Sequence, residues 1–174
     1  MNRDHIHISY HKSSIGELII GSFAEKICIV DFRHRAKREM VDRRIRKGLR
    51  ADFVERKDDV IQETKKHIDA YLAGTQQDFP VPILPVGSDF QKRVWRAIQC
   101  VPYGHTASYA DIARKIGKPQ AVRAVASATS GNAIALIIPC HRIIYTNGTI
   151  GNYAGGSATK EKLLELEKSS CLMR

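Results

Sequence analysis

Hydrophobic residues in the first third of the chain occur in short stretches rich in Ile and Val, separated by Ser and Gly turn signals. This pattern is typical of strands and predicts them at residues 5–10, 17–20 and 27–32. Further along, apolar residues recur every three or four positions, which is the spacing of one helix face. The spacing predicts a helix within residues 33–50 (Val41, Ile45, Leu49) and a clearer one from Asp58 to Gly74 (Ile61, Thr64, Ile68, Leu72).

A proline-rich segment at residues 79–85 interrupts this pattern. Proline lacks the backbone donor that a helix needs, so the segment cannot continue one. We therefore predict a domain boundary here, with one domain at 1–84 and a second at 85–174.

The second domain begins with a helical pattern. Ser88 with Gln91 forms a capping box before the first helical stretch, and Ser108 with Asp111 starts a second helix. The helix after Ser108 is predicted to end at Gly117, and a third helix follows and runs to about residue 130. Two short helices joined by a glycine turn form a helix-turn-helix pattern, which is a weak signal taken alone.

The remainder of the chain mixes extended and helical signals. An apolar stretch predicts a strand at 135–138, and the Asn147-Gly148 pair predicts a hairpin turn. A glycine-rich loop at 151–156 then leads into a last helix, predicted at 160–168.

Composition narrows the class of protein. Apolar residues make up 43% of the 174, too many for a disordered chain, and no segment resembles a signal peptide or a membrane span. Four widely spaced cysteines favour a reducing, intracellular compartment. The net charge of +10 favours a polyanionic partner, nucleic acid first, although a solvated basic surface explains it equally well. The same alternative applies to the basic stretch 33–50.

Candidate chemistry lies in the sequence IIPCHRII, where Cys140 is followed by His141. A thiolate is the reactive form of cysteine, and an adjacent histidine can act as the base that generates it. Neighbours in an extended chain point to opposite faces, so direct contact needs a local turn or a bridging water. The histidine also needs an orienting carboxylate, for which the available acids include Asp111, Glu161 and Glu167. A buried cysteine beside an incidental histidine is the structural alternative.

Several motifs agree in order and spacing between Phe90 and Lys168: YGHTASYADIA, RAV, GN, PCHRII, GNYAGG and KEKLLELE. Together they resemble the O6-alkylguanine-DNA alkyltransferase (methylated-DNA–protein-cysteine methyltransferase) family. The resemblance implies an α/β (α+β) fold, in which a small-sheet α/β domain is followed by a winged helix-turn-helix-like domain carrying the site. The implied function is DNA repair by direct transfer of the alkyl group from O6-alkylguanine to a cysteine. It leaves open whether O4-alkylthymine is also a substrate.

The resemblance assigns four catalytic residues. Cys140 is the alkyl acceptor, which each molecule uses once and irreversibly. His141 takes the thiol proton through a water, Glu167 holds the histidine in the right tautomer, and Tyr109 helps to protonate the departing base and crowds the rotating phosphate. No cofactor is implied.

The resemblance also assigns binding residues. A base inside a duplex must leave the stack to be reached, and Arg123 matches the residue that fills the gap. The small side chains around Arg123 allow the helix to approach a minor groove closely. They offer no hydrogen bonds to base edges, as expected for a protein that binds DNA of any sequence. The implied substrate-binding residues are Asn132, Ile143, Gly151, Tyr153, Ala154 and Gly155, and the DNA-binding residues are Val122, Arg123, Ala124, Ala126 and Tyr109.

Further expectations concern partners. We expect double-stranded DNA with alkylated bases as the partner, no membrane, no obligate protein partner and a monomer, in the nucleus of a eukaryote or otherwise the cytoplasm. No metal is predicted, because Cys28 has no second Cys/His pair to complete a ligand set. The alternatives are a damage-binding protein without chemistry, against which Cys140 argues, and a cysteine hydrolase, which would not explain Arg123.

Three further side chains are of interest. Arg142 is predicted to form a structural ion pair or to bind a backbone carbonyl, and Trp95 to anchor the core. For Tyr145 the sequence does not decide between a place in the site and a place outside it.

Overall fold

The computed structural model describes residues 5–172 and divides into two compact units, one ending at Gly87 and one beginning at Ser88. Mixed strands and helices in the first unit and mostly helices in the second confirm the predicted fold class. The first unit contains β1 (His5–Ser13), β2 (Gly16–Phe23), β3 (Lys26–Phe32), α1 (Arg38–Leu49), β4 (Asp52–Glu55) and α2 (Asp59–Leu72).

A four-stranded sheet in the order β3-β2-β1-β4 forms the first unit. The three predicted strands are confirmed and pair antiparallel, β1 with β2 and β2 with β3. The fourth strand was not predicted. It is reached through a left-handed turn at Arg50 (φ 52°) and pairs parallel to β1, with His5 opposite Asp52.

Helix α2 covers this sheet. The Asp58 side chain accepts a hydrogen bond from the backbone N–H of Ile61 at 2.8 Å, which caps the helix at the predicted start. The buried face differs from the predicted one only at its end, where Tyr71 is fully buried and Leu72 is half-buried.

The basic stretch forms the predicted helix, α1, with Val41 and Ile45 buried against the unit. Two of its arginines turn inward, since Arg35 and Arg38 both donate to the buried carboxylate of Asp31 at 2.9 Å. Part of the positive charge in this stretch is therefore structural.

The proline-rich segment is part of the first unit. Leu84 N–H donates to Ile27 O at 2.7 Å, and Ile27 N–H donates to Pro82 O at 2.8 Å, so the segment runs along the outer edge of β3. The predicted boundary at 84/85 falls within this paired segment, whereas the compact units divide after Gly87. Prolines suit an edge position because they need not donate to the sheet.

The second unit contains α3 (Asp89–Gln99), β5 (Ala107–Ser108), α4 (Tyr109–Lys115), α5 (Val122–Ser130), a 3-10 helix (Cys140–Arg142), β6 (Ile143–Ile144) and α6 (Ser157–Leu172). The predicted capping box at Ser88 is confirmed at the start of α3, and the predicted helix start at Ser108 also carries a capping box, at the start of α4. Trp95 anchors the core as predicted, because its indole N–H donates to Ala128 O at 2.8 Å and joins α3 to α5. No helix within residues 5–172 is both long and apolar enough to cross a bilayer.

The strand predicted at 135–138 is wrong. These residues are apolar because they are buried, but they form successive turns, with hydrogen bonds from Ile137 N to Ala135 O and from Ile138 N to Ile134 O. Leu136 lies in the left-handed region at φ 69°, a conformation that costs energy for a branched side chain. The short strand that does occur, β6, follows the Cys-His pair and pairs parallel to β5.

Candidate active site

The Cys140 thiol lies at the start of the 3-10 helix, immediately after Pro139. Cys140 N–H donates to Ile138 O at 2.7 Å and Arg142 N–H donates to Pro139 O at 2.9 Å, which closes the turn on both sides. Cys140 is only 6% exposed. The turn replaces the extended geometry in which neighbouring side chains would point to opposite faces.

Asn132 fixes the backbone around the thiol. Its side-chain nitrogen donates to Ile138 O at 3.0 Å and to Cys140 Sγ at 3.3 Å, and its oxygen accepts from Ile134 N–H at 2.9 Å. A donor aimed at sulfur favours the thiolate over the thiol. The same side chain thus shapes the strained turn and contacts the reactive atom.

Glu167 on α6 is the acid that reaches His141. The distance from His141 Nε2 to Glu167 Oε1 is 2.7 Å, and Gly104 N–H donates to the other oxygen at 3.0 Å. The other two candidates lie elsewhere, since Glu161 is exposed and Asp111 caps α4 through Ser108.

Arg142 makes both of the contacts predicted for it. Its guanidinium donates to Glu167 at 2.9 Å through Nε and through Nη2, and its Nη1 donates to Val101 O at 2.7 Å. Donors therefore surround the Glu167 carboxylate, whose oxygens act as acceptors. This assigns the proton in the His141–Glu167 contact to Nε2.

The buried position of His141 determines its charge. Burial lowers the pKa of His141, and the neighbouring Glu167 carboxylate only partly opposes that effect. A neutral imidazole with its proton on Nε2 leaves the lone pair on Nδ1, the atom that can accept a proton.

Lys160 is a site residue that sequence reasoning missed. It is fully buried, and its Nζ donates to Ile143 O at 2.6 Å. Burial lowers the pKa of Lys160 to about 8, while the nearby Cys140 thiolate acts in the opposite direction. A signal was present, because Lys160, Leu163 and Glu167 recur at helical spacing and form the buried face of α6.

Tyr109 is brought to the site by the pairing of β5 with β6. The two rungs, Ala107 with Ile143 and Ser108 with Ile144, place the first residue of α4 beside the segment that follows the thiol. Burial, with added contributions from charge on Tyr145 and Cys140, raises the pKa of Tyr109 to about 12. The Tyr109 hydroxyl therefore stays protonated at neutral pH.

The predicted pocket residues lie in a half-buried loop, with Gly151, Tyr153, Ala154 and Gly155 all partly exposed. The ring of Tyr153 meets that of His141 edge-on, with centroids 6.3 Å apart. Ile143 differs from the others. Its side chain is fully buried, its N–H donates to Cys140 O and its carbonyl accepts from Lys160, so its N–H is not available to a base.

Four of the five predicted DNA-contacting residues lie on α5, and the fifth, Tyr109, is buried at the start of α4. Arg123 and Ala124 are exposed, while Val122 and Ala126 are half-buried. The inward side consists of Val125, Ala128 and Thr129. One long cationic side chain thus projects from a surface of small ones.

Comparison with known proteins gives a consistent result. Residues 89–169 match the family described as 6-O-methylguanine DNA methyltransferase, DNA binding domain. Among curated relatives, the methylated-DNA–protein-cysteine methyltransferase of Methanosarcina acetivorans is 39% identical over 159 residues, which are 91% of this chain and 96% of that protein. The protein of the same name from Mycobacterium bovis is 50% identical over 102 residues, which are 59% of this chain and 62% of that protein.

A solved structure agrees along the whole length. The crystal structure of Mycobacterium tuberculosis OGT in complex with DNA matches with a TM-score of 0.81 and 35% sequence identity, and covers 94% of both chains. The extent of the match to both halves, together with the Cys140 site, leads to one conclusion. The chain belongs to the methylated-DNA–protein-cysteine methyltransferase family.

Proposed function

We propose that this protein repairs DNA by transferring the alkyl group of O6-alkylguanine to Cys140, once per molecule. One observation carries the proposal: an amide donor, an ammonium and a carboxylate-oriented imidazole are gathered around the segment that holds a single buried thiol. Each of these groups favours formation of a thiolate or accepts its proton.

The proposed step balances without a cofactor. The thiol proton passes to Nδ1 of His141 through a water, and the sulfur forms a bond to the alkyl carbon while the bond from that carbon to guanine O6 breaks. The electron pair stays on the base, which takes up a proton with the help of the Tyr109 hydroxyl. Tyr109 recovers a proton from solvent and His141 releases the thiol proton to solvent, so that in the net balance one proton moves from the thiol to the repaired guanine.

We propose further that the alkylated nucleotide leaves the duplex to reach the thiol. Sulfur must approach the alkyl carbon opposite the departing oxygen, and a stacked base does not allow this. Arg123, exposed among small side chains on α5, would fill the space in the stack, with α5 in the minor groove. The loop 151–155 would receive the base.

The resulting thioether explains why each molecule acts once. A carbon–sulfur bond of this kind has no easy hydrolytic exit, and the proposed mechanism regenerates no thiol. The alternative function, binding of alkylated DNA without chemistry, makes no use of the groups around Cys140.

The first test mixes excess protein with a duplex that carries one O6-methylguanine. After trypsin digestion, we expect a mass gain of one methylene on the peptide 124–142, localised to Cys140, with an equal amount of guanine restored. Tight binding with an unmodified peptide would instead support the damage-binding alternative.

A second test separates the proposed role of Arg123 from the chemistry. We expect Arg123→Ala to slow repair of duplex DNA by at least about tenfold, and to leave the reaction with free O6-benzylguanine nearly unchanged. Arg93→Ala is the matched control, because it removes the same exposed side chain from α3. Equal slowing with both substrates would remove the base-displacement role.

A further inference from the structure

Tyr145 packs against Tyr109 at the site, but the proposed reaction gives it no role. It follows β6 and opens a turn that two backbone hydrogen bonds close, from Tyr145 N–H to Thr149 O and from Gly148 N–H to Tyr145 O, both at 2.9 Å. The backbone at Tyr145 is therefore held in place. Its side chain is nevertheless 46% exposed, which is unusual for a tyrosine with packing partners on two sides.

One side of the Tyr145 ring packs against Tyr109. The two ring centroids are 5.2 Å apart and the planes are inclined by 53°, which is a favourable tilted arrangement. Tyr109 is buried, and charge on Cys140 acts on it, so this contact holds the ring that carries the hydroxyl group used in the proposed reaction.

Tyr145 also packs on the backbone of Gly151, at the start of the pocket loop. A Cβ atom added to Gly151 would lie 2.7 Å from Cε2 of Tyr145, too close for real atoms, and 3.2 Å from Cδ2, which is tighter than most real contacts. Gly151 also has a positive φ of 71°. The absence of a side chain at Gly151 is what allows the ring to lie against the loop.

We propose that Tyr145 is a positioning residue that connects the pocket loop, residues 151–155, to the phenol of Tyr109. The inference rests on the proposed function and adds a coupling to it. Tyr109 is held in its productive orientation only when the loop is in place under the Tyr145 ring. The position of the loop and the orientation of the Tyr109 hydroxyl thus both depend on the Tyr145 ring.

A supporting observation comes from electrostatics. Apart from burial, the groups that raise the pKa of Tyr109 are Tyr145 and Cys140. Charge on Tyr145 or on Cys140 therefore acts on the Tyr109 phenol, in agreement with the ring contact between Tyr109 and Tyr145.

The first experiment compares two substitutions of the ring. Tyr145→Ala removes the contact with Tyr109 and should slow alkylation of Cys140 by roughly five- to tenfold, whereas Tyr145→Phe keeps the ring and should stay within about twofold of the wild type. The loss should appear with free O6-benzylguanine as well as with duplex O6-methylguanine, because the Tyr109 hydroxyl helps to protonate the base in both. Loss confined to the duplex would overturn the proposal and make Tyr145 a DNA contact.

The second experiment tests the coupling through Gly151. Gly151→Ala adds a methyl group that displaces the ring, and Gly117→Ala is its control. Gly117 has a nearly identical φ of 73° and open space around it, so that variant reports backbone strain alone. With free O6-benzylguanine, we expect Gly151→Ala to be several-fold slower than Gly117→Ala.

Combining the two sites distinguishes coupling from independent damage. In the Tyr145→Ala background no ring remains to be displaced, so adding Gly151→Ala should cost no more than the strain seen with Gly117→Ala. Fully additive losses would overturn the proposal. If the wild-type protein transferred no methyl group to Cys140, the proposed function itself would fail, which is a separate outcome. Thermal unfolding of each variant shows that the fold is retained.

Discussion

Cys28 and Cys140 are both buried thiols, yet the structure gives them opposite surroundings. Cys28 lies within β3 among Ile27, Ile29 and Val30, all fully buried. Burial raises the pKa of Cys28 to about 12, and the charge of Asp58 adds to that rise. Cys140 is almost as buried, but an amide donor contacts its sulfur and an ammonium lies nearby.

The comparison shows that burial alone does not decide the reactivity of a thiol. An apolar strand makes the thiolate costly and leaves an inert core residue. Asn132 and Lys160 supply what the strand cannot, namely hydrogen-bond donors and positive charge around a buried thiol. The strained conformation of Leu136, within the turns that join Asn132 to Cys140, is the structural cost of bringing Asn132 to the sulfur.

The largest expected effect tests the difference in reactivity between Cys140 and Cys28 directly. Cys140→Ser should abolish methyl transfer from duplex O6-methylguanine, while Cys28→Ala should transfer as fully as the wild type. The measurement is the amount of restored guanine together with the masses of peptides 124–142 and 27–33. A methyl group on the peptide that contains Cys28 would contradict the contrast between the two sites.

A smaller effect concerns the ammonium of Lys160. Its pKa of about 8 means that the charge is present below that pH and is lost as the pH rises through it, so it supports the thiolate only at the lower pH. Lys160→Gln should therefore move the onset of Cys140 reactivity upward by roughly one pH unit. The readout is the iodoacetamide reaction rate of Cys140 between pH 5 and 8.

The control for this measurement lies on the same helix. Lys162 is exposed on α6, so Lys162→Gln removes an equal charge from solvent. If both variants, or neither, shifted the pH dependence, the buried ammonium would have no special influence on the thiol.

The smallest expected effect is on stability. Methyl transfer adds a carbon to a sulfur that is only 6% exposed, and overpacking of this kind costs folded proteins free energy. We expect the Tm of the methylated protein to fall by roughly 5 °C, and the benzylated protein to fall further. An unchanged Tm for the methylated and the benzylated protein would show that the site accommodates the added group without overpacking.

Much of the fold was predictable because local patterns and tertiary structure agree. The strands β1, β2 and β3 follow from short Ile- and Val-rich stretches between turn signals, and the starts of α3 and α4 follow from Ser-x-x-Gln and Ser-x-x-Asp spacing. β4 was not predicted, since four residues carry too little pattern and its pairing with β1 is set by the turn at Arg50. Residues 135–138 are an apolar run because they are buried. Their backbone hydrogen bonds close turns within the segment and do not pair with a strand, which the sequence pattern did not indicate.

The candidate site was predictable to a lesser degree. Motifs indicated Cys140, His141 and Glu167, and the structure brings His141 and Glu167 within 2.7 Å. Lys160 was not predicted because a lysine in a charged helix normally faces solvent. The sequence signal for its burial is its helical spacing from Glu167, which places both residues on the same face of α6. The place of Tyr145 depends on contacts with Gly151 and Tyr109, which no spacing rule connects.

Helix α6 carries Lys160, Leu163 and Glu167 on its buried face, so it contributes both to the core and to the site. One residue inserted between Lys160 and Glu167 would rotate one of them by about 100°, away from the thiol or away from His141. The length of this seven-residue interval is therefore constrained even though its outer positions are free to change. Insertions and deletions, more than substitutions, are what this part of the gene should not tolerate.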